Sequence, residues 1–161
     1  MNIRDATAAD AAALDSMIRE LAAYEGHTDE LAFTVDRLAQ ALSGDPPRLR
    51  ALIAEDAVGA VAFVTYTVDY AIWTGADVVR VDDVFVRERA RRTGAGTRLM
   101  LRIAVLSIAG GMSSRWEIEP ANLRAQRFYE SLGVEIRDKK VARWNRAAMQ
   151  AALARKPNAR A

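Results

Sequence analysis

The sequence predicts one mixed α/β domain, with elements in the order β-α-α-β-β-β-α-β-α-β. Three observations carry that expectation. Apolar residues recur with helical period in some stretches and crowd into β-branched and aromatic runs in others. Breakers stand between those stretches at Gly26, Asp45-Pro46-Pro47, Gly110-Gly111 and Gly133. The length of 161 residues fits one core, and a domain of that size buries roughly 70% of its unfolded surface without metal or disulfide.

Ile3 to Asp5 reads as a short strand. Thr7 and Asp10 then form a capping-box variant, followed by Leu14, Met17, Ile18 and Leu21 on one helical face that should end near Gly26. Thr34 caps a second helix to Ser43, with Val35, Leu38, Ala41 and Leu42 on one face and Gly44 past its end. Leu49–Glu55, Val58–Asp69 and Val78–Val86 are strands, with Glu55-Asp56 as the turn between the first two. A long helix runs from about Gly94 to Ala109, with Leu99, Ile103 and Leu106 inward. Arg115–Ile118 is a short strand. Asn122 caps a helix carrying Ala125, Phe128, Tyr129 and Leu132, closed by Gly133. A last strand spans roughly Glu135 to Trp144. The domain is expected over 1–155, with 156–161 as a disordered tail.

Composition excludes several chemistries. The chain has no cysteine, so it has no disulfide, thiolate metal site or cysteine nucleophile. His27 is the only histidine, which leaves little for a metal centre or a Ser–His–Asp triad, and no metal is expected. The 23 basic and 21 acidic residues leave a net charge of +2, so neither nucleic acid nor membrane is an expected partner. The N-terminus has no signal-peptide core and no run approaches the ~18 apolar residues of a membrane span. A cytoplasmic address is the expectation.

Two constellations carry chemistry. The first is Arg91-Arg92-Thr93-Gly94-Ala95-Gly96-Thr97, between a strand and a long helix. Glycine admits an anion close to the backbone, and a helix N-terminus offers free N–H groups and partial positive charge. Arg91 and Arg92 add charge for a pyrophosphate. No Lys-Ser/Thr follows as in a Walker loop, and Leu99 and Met100 stand where a dinucleotide fingerprint needs its third glycine. By itself this stretch also reads as a glycine turn with a solvated basic face. The second constellation is Asn122-x-x-Ala125-x-x-Phe128-Tyr129-x-x-x-Gly133.

Together, in this order and at this spacing, the two motifs resemble the GNAT superfamily of acetyltransferases. Glu20-Leu21-Ala22-Ala23-Tyr24-Glu25, Trp73 and Val81-Asp82-Asp83-Val84-Phe85-Val86 resemble its diamine (spermidine/spermine) and thialysine branch, and the likeness covers roughly residues 2–144. Asp82 stands where that branch has Glu, one methylene longer, which leaves open which amine fits. Glu119-Pro120-Ala121 also departs from the pattern before the Asn cap.

The resemblance implies the GNAT fold, a mixed central sheet flanked by helices, with acetyl-CoA wedged between two splayed parallel strands ending near Val86 and Ile118. It assigns the pantetheine and thioester carbonyl to backbone groups of Phe85 and Val86, the pyrophosphate to Arg91 through Thr97 (including Gly94, Ala95 and Gly96), and further cofactor contacts to Asn122, Ala125 and Tyr129. It implies N-acetylation of a small cationic amine by direct attack, with Asp82 assisting deprotonation, Tyr129 facing the departing thiolate, and Tyr24, Glu25, Trp73, Asp82 and Asp83 around the acceptor. It also implies a homodimer. Each residue keeps a plainer reading beside this one: Asn122 as a simple cap, Asp82 as a surface carboxylate, Tyr129 as a core side chain. Asp82 and Asp83 are neighbours on a strand, so they line one site only if a bulge intervenes. Two other functions stay open, acetylation of another amine (amino acid, antibiotic or protein terminus) and CoA binding without turnover.

Overall fold

The computed structural model describes residues 1–155, so the expected tail at 156–161 lies outside the described residues. The chain divides into two compact units, Met1–Pro120 and a second that begins at Ala121.

The first unit is built on a five-stranded sheet in the order β1 (Asn2–Asp5), β2 (Arg50–Asp56), β3 (Gly59–Ala71), β4 (Ala76–Val86), β5 (Ser113–Arg115). Neighbours are antiparallel except β4 and β5, which are parallel. Both faces are covered, which is why β2 to β4 read as nearly continuous apolar runs. On one face Leu52, Val64, Val79 and Val81 pack with Leu99 and Ile103 of α3 (Ala95–Ala109). On the other, Ile53, Phe63 and Phe85 meet Leu14 and Met17 of α1 (Ala11–Glu25) and Leu38 and Leu42 of α2 (Val35–Leu42). The predicted caps operate: Gly26 is left-handed at φ 79°, and Thr34 Oγ1 accepts from Arg37 N at 3.3 Å.

Three expected elements differ. The β2–β3 turn is at Ala57-Val58, because Asp56 pairs with Gly59 and its carboxylate accepts from Val58 N at 2.8 Å; Glu55 and Asp56 stay in the strand. The strand expected at Arg115–Ile118 is Ser113–Arg115 instead, held by pairing with Val78–Arg80 and by a 2.7 Å hydrogen bond between Ser107 Oγ and Ser114 Oγ. The strand expected at Glu135–Trp144 does not form. In the second unit α4 (Leu123–Glu130) and α5 (Arg146–Ala154) are the regular elements, and 134–145 have none. A strand needs a ladder partner, and among the described residues of that unit there is none. α5 is not among the elements the apolar pattern predicts; its alanines favour helix and Asn145 caps it, accepting from Ala148 N at 2.9 Å.

Arg4 ties the edge of the sheet to the entry of α1. Its guanidinium lies 2.7 Å from Asp10 and 2.7 Å from Glu55 of β2. Asp10 also accepts from the Thr7 backbone N at 2.8 Å. The bond from Arg4 chiefly accounts for the Asp10 carboxyl falling to about 2, against the opposing cost of burial. The folded-state value thus lies below the unfolded one. The stabilisation is complete above pH ~4 and is lost as pH falls toward the folded-state value. Asp10→Asn should lower stability by ~1–2 kcal/mol at neutral pH. In urea titrations of both proteins this difference should shrink to nothing between pH ~4 and ~2; a difference constant with pH would contradict the assignment.

Candidate active site

The site is set by where β4 stops being paired. On one edge it pairs with β3 along its whole length, Ala71↔Ala76 to Ala62↔Val86. On the other edge it meets β5 only through Val78, Val79 and Arg80. From Val81 to Val86 that second edge has no strand beside it among the described residues. Two parallel strands that pair and then part leave an open wedge whose wall is backbone N–H and C=O.

At the end of this wedge the chain turns into α3. Arg92 is left-handed at φ 64° and Gly94 at φ 85°. An L-residue in this region carries a cost of roughly 1–2 kcal/mol, so the Arg92 conformation marks a loop shaped for something other than packing. A Cβ on Gly94 would meet nothing within 4 Å; its glycine serves the backbone angle. Arg98 N donates to Gly94 O at 2.9 Å. The N–H groups of Ala95, Gly96 and Thr97, one turn earlier, have no helical partner. Of the basic residues here, Arg87 is spent on Glu20, Ser16 and the Ala60 carbonyl, and Arg89 on Asp56. Arg91 donates to Val86 O at 3.2 Å and lies over the Tyr24 ring at 5.2 Å. Arg92 and Arg98 are exposed and unpaired among the described residues.

The bulge that the two aspartates require is present. Val79 and Val81 face α3, and so do Val84 and Val86. Strict alternation would put Val81 and Val84 on opposite faces. Thr65 pairs with Asp83 and Tyr66 with Val81, so Asp82 is the extra, unpaired residue. Asp82 and Asp83 thereby share the face opposite α3, with Phe85. Thr65 Oγ1 accepts from Asp83 N at 3.1 Å and lies 3.3 Å from Asp83 Oδ2. Arg80, on the same face, lies 3.4 Å from Asp82 and 3.1 Å from Asp69, and Arg115 is 3.8 Å from Asp69.

Carboxylates converge here. Burial pushes Asp83 up, with the Thr65 hydrogen bond opposing. Burial also raises Asp82; Arg80 opposes, and Asp83 and Asp69 add to the rise. Glu25, at the end of α1, is raised by burial and then by Asp83, with His27 opposing and Glu119 adding. Each acid is thus biased toward holding a proton, and the group as a whole favours an added cation.

The structure brings Glu25, Asp82 and Asp83 into one electrostatic group and joins Tyr24 to Arg91. It does not bring Trp73 there. That side chain is 97% exposed in the β3–β4 turn, and the strand from Ala76 to Asp82 spans roughly 20 Å. Phe85 is buried against Phe63, ring centres 6.1 Å apart, so its backbone alone borders the wedge. In the second unit, Asn122 Oδ1 accepts from Ala125 N at 3.0 Å as a cap, and the buried Tyr129 ring lies 5.0 Å from Phe128. Thr65, Arg80 and Glu119 are participants that sequence reasoning missed. Thr65 and Arg80 are defined by register across β3 and β4, which no local pattern prints; Glu119 stood out only as part of a departure from motif. Among the described residues no cluster of His, Asp or Glu is placed to hold a metal ion, and no helix is long and apolar enough to cross a membrane.

Known proteins resemble this chain in sequence and in fold. The Acetyltransferase (GNAT) family matches residues 14–134. A thialysine N-epsilon-acetyltransferase of Bos taurus is 28% identical over 142 residues, 83% of each chain. A spermidine/spermine N(1)-acetyltransferase-like protein 1 of Homo sapiens is 31% identical over 113 residues, 66% of this chain and 16% of that protein. An integron cassette protein from the mobile metagenome of V. cholerae superposes with a TM-score of 0.76 at 24% identity, covering 95% of this chain and 97% of that one. With the family matched over well more than half its length, the chain belongs to the Acetyltransferase (GNAT) family and is an acetyl-CoA-dependent N-acetyltransferase.

Proposed function

We propose that the acceptor is a small amine with a second positive charge, polyamine-like or thialysine-like, acetylated by direct attack beside Asp82. The observation that carries this reading is the bulge, which sets two carboxylates side by side next to the open edge of β4. The names of the two relatives point the same way.

The wedge suits acetyl-CoA. Backbone groups of Phe85 and Val86 would hold the pantetheine and polarise the thioester, while N–H groups from Arg91 to Thr97 would take the pyrophosphate. Acetyl-CoA supplies an acetyl group activated as a thioester. Asp82 accepts, directly or through water, the proton that an alkylammonium of pKa ~10.4 must lose. Its upward bias brings it closer to that task. Asp83 and Glu25 hold the remaining cationic group, with Tyr24 as a wall. Asn122, Ala125 and Tyr129 enter this reading through their motif on α4. A tyrosine of pKa ~10 gives up its proton to a thiolate of pKa ~8.5 only uphill, by about 2 kcal/mol, so Tyr129 acts as a hydrogen-bond donor to the sulfur. Arg80 and Arg115, on the face of the two aspartates, favour the thialysine-like form of the acceptor, because a guanidinium there would receive an α-carboxylate. A cytoplasmic homodimer completes the reading.

The test is thiol release from acetyl-CoA with spermidine, putrescine, thialysine, lysine and a matched monoamine. The cationic set should have the higher kcat/KM. Equal use of the monoamine, unchanged by Asp82→Asn, would remove the acceptor reading; acetyl-CoA binding without release would leave only a binding module.

Tyr129→Phe should lower kcat by ~10²–10³-fold with little change in acetyl-CoA affinity; an unchanged kcat in a folded variant would make Tyr129 a packing residue. Asp83→Asn should raise KM for the acceptor and also raise Tm at pH 7. Asp83 holds its proton more tightly folded than unfolded, so its ionised form opposes folding at neutral pH. The gain should vanish as pH drops below ~3.9, and a lower Tm at pH 7 would contradict it. Light scattering should give a mass twice the 17.7 kDa of one chain; the monomer mass at micromolar concentration would refute the dimer.

A further inference from the structure

Where β1 ends and β2 begins, the chain leaves an open cleft of about 160 Å³. Asp5, Arg50 and Tyr66 provide its polar groups, and Leu42, Pro47 and Leu49 much of its apolar wall. Arg50 and Tyr66 are direct register partners, and Asp5 is one strand over, opposite Leu52. All three share a face. Tyr66 belongs to the cluster under α3, as do Ile3, two residues before Asp5, and Leu52, two after Arg50. Asp82 and Asp83 lie on the opposite face.

Tyr66 is 5% exposed, yet its hydroxyl has no hydrogen-bond partner among the described residues. That hydroxyl is not sealed from solvent, and the residue lines the cleft, where a ligand can reach it. Burial raises the phenol, Asp5 adds to the rise, and Arg50 and Arg102 oppose it. The hydroxyl is therefore a protonated donor at neutral pH, within reach of charges of both signs. Asp5 and Arg50 do not neutralise one another: neither side chain makes an ion pair among the described residues. A cation alone would face Arg50 and Arg102. An anion alone would face Asp5.

We infer that this cleft binds a small zwitterionic amino acid, its ammonium on Asp5 and its carboxylate accepting from Arg50 and the Tyr66 hydroxyl. The volume is that of about five waters at ~30 Å³ each, room for a molecule of the size of glycine to serine. Such a ligand lacks the second cation proposed for the acceptor, and the site stands whether or not that acceptor reading holds.

Calorimetric titration of the full chain with glycine and with serine tests it, with glycinamide and N-acetylglycine as controls that each lack one charge. A zwitterion should bind about tenfold or more tighter than either control, the loss expected for one charge-assisted hydrogen bond. Tyr66→Phe, which keeps the buried ring, should weaken it about fivefold, and Arg50→Gln about tenfold or more. Asp5→Asn gives a third reading should either variant fail to fold, again with about tenfold loss. Asp83→Asn should leave the affinity unchanged. Absence of heat with glycine and serine at about 10 mM would show a cleft holding water only and overturn the inference. So would equal affinity for the controls, equal affinity in the folded variants, or loss of binding in Asp83→Asn, which would put the amino acid on the other face.

Discussion

A strand inside a sheet is normally paired on both edges, and β4 is so paired only as far as Arg80. Backbone N–H and C=O groups withdrawn from water need partners, and the stretch from Val81 to Val86 finds them among its own strands on one edge only. Arg91 takes the Val86 carbonyl. The groups left over form a polar seam in an otherwise apolar wall, a surface that an extended, amide-bearing chain can satisfy as a strand would. The left-handed loop and the start of α3 lie at the end of that seam, with the N–H groups of Ala95, Gly96 and Thr97 free of helical partners. The remaining elements of the first unit keep this seam open: α3 backs one face of β4, and α1 with α2 the other.

The second constraint is parity. One unpaired residue, Asp82, lets β4 keep valines toward α3 on both sides of the bulge while presenting two carboxylates the other way. The carboxylates are neighbours in sequence, of like charge and partly withdrawn from water. That arrangement is unfavourable for folding alone, and Thr65 and Arg80 offset part of it. Departures of this kind from what folding alone favours are characteristic of functional sites.

Much of this was legible from local chemistry. Thr34, Gly26 and Asn122 each act on the next few residues, so caps and helix ends follow from sequence. Fully buried strands print as apolar runs, which located β2 to β4. The glycine loop and the α4 motif were equally local. What failed was non-local. The bulge exists only relative to β3, so its need could be stated from Asp82-Asp83 but not its presence. β5 is placed by its partner at Val78–Arg80 and not by its own residues. The stretch from Glu135 to Trp144 has strand-like residues but no ladder partner among the described residues of its unit, and Asp138-Lys139-Lys140 interrupts its apolar pattern. Trp73 was placed by likeness in one motif, while the length of the β3–β4 hairpin decides where it stands.

The contact between Arg91 and Tyr24 ties two places that chemistry would treat as separate. The guanidinium is bonded to the end of β4 and stacked on the last turn of α1. Whatever orders the tyrosine restricts the arginine, and whatever orders the arginine restricts the tyrosine. Linkage requires that such an influence be mutual and equal in free energy. The loop before α3 and the acidic end of α1 are thus joined through a single side-chain contact, and neither end rearranges alone while that contact holds.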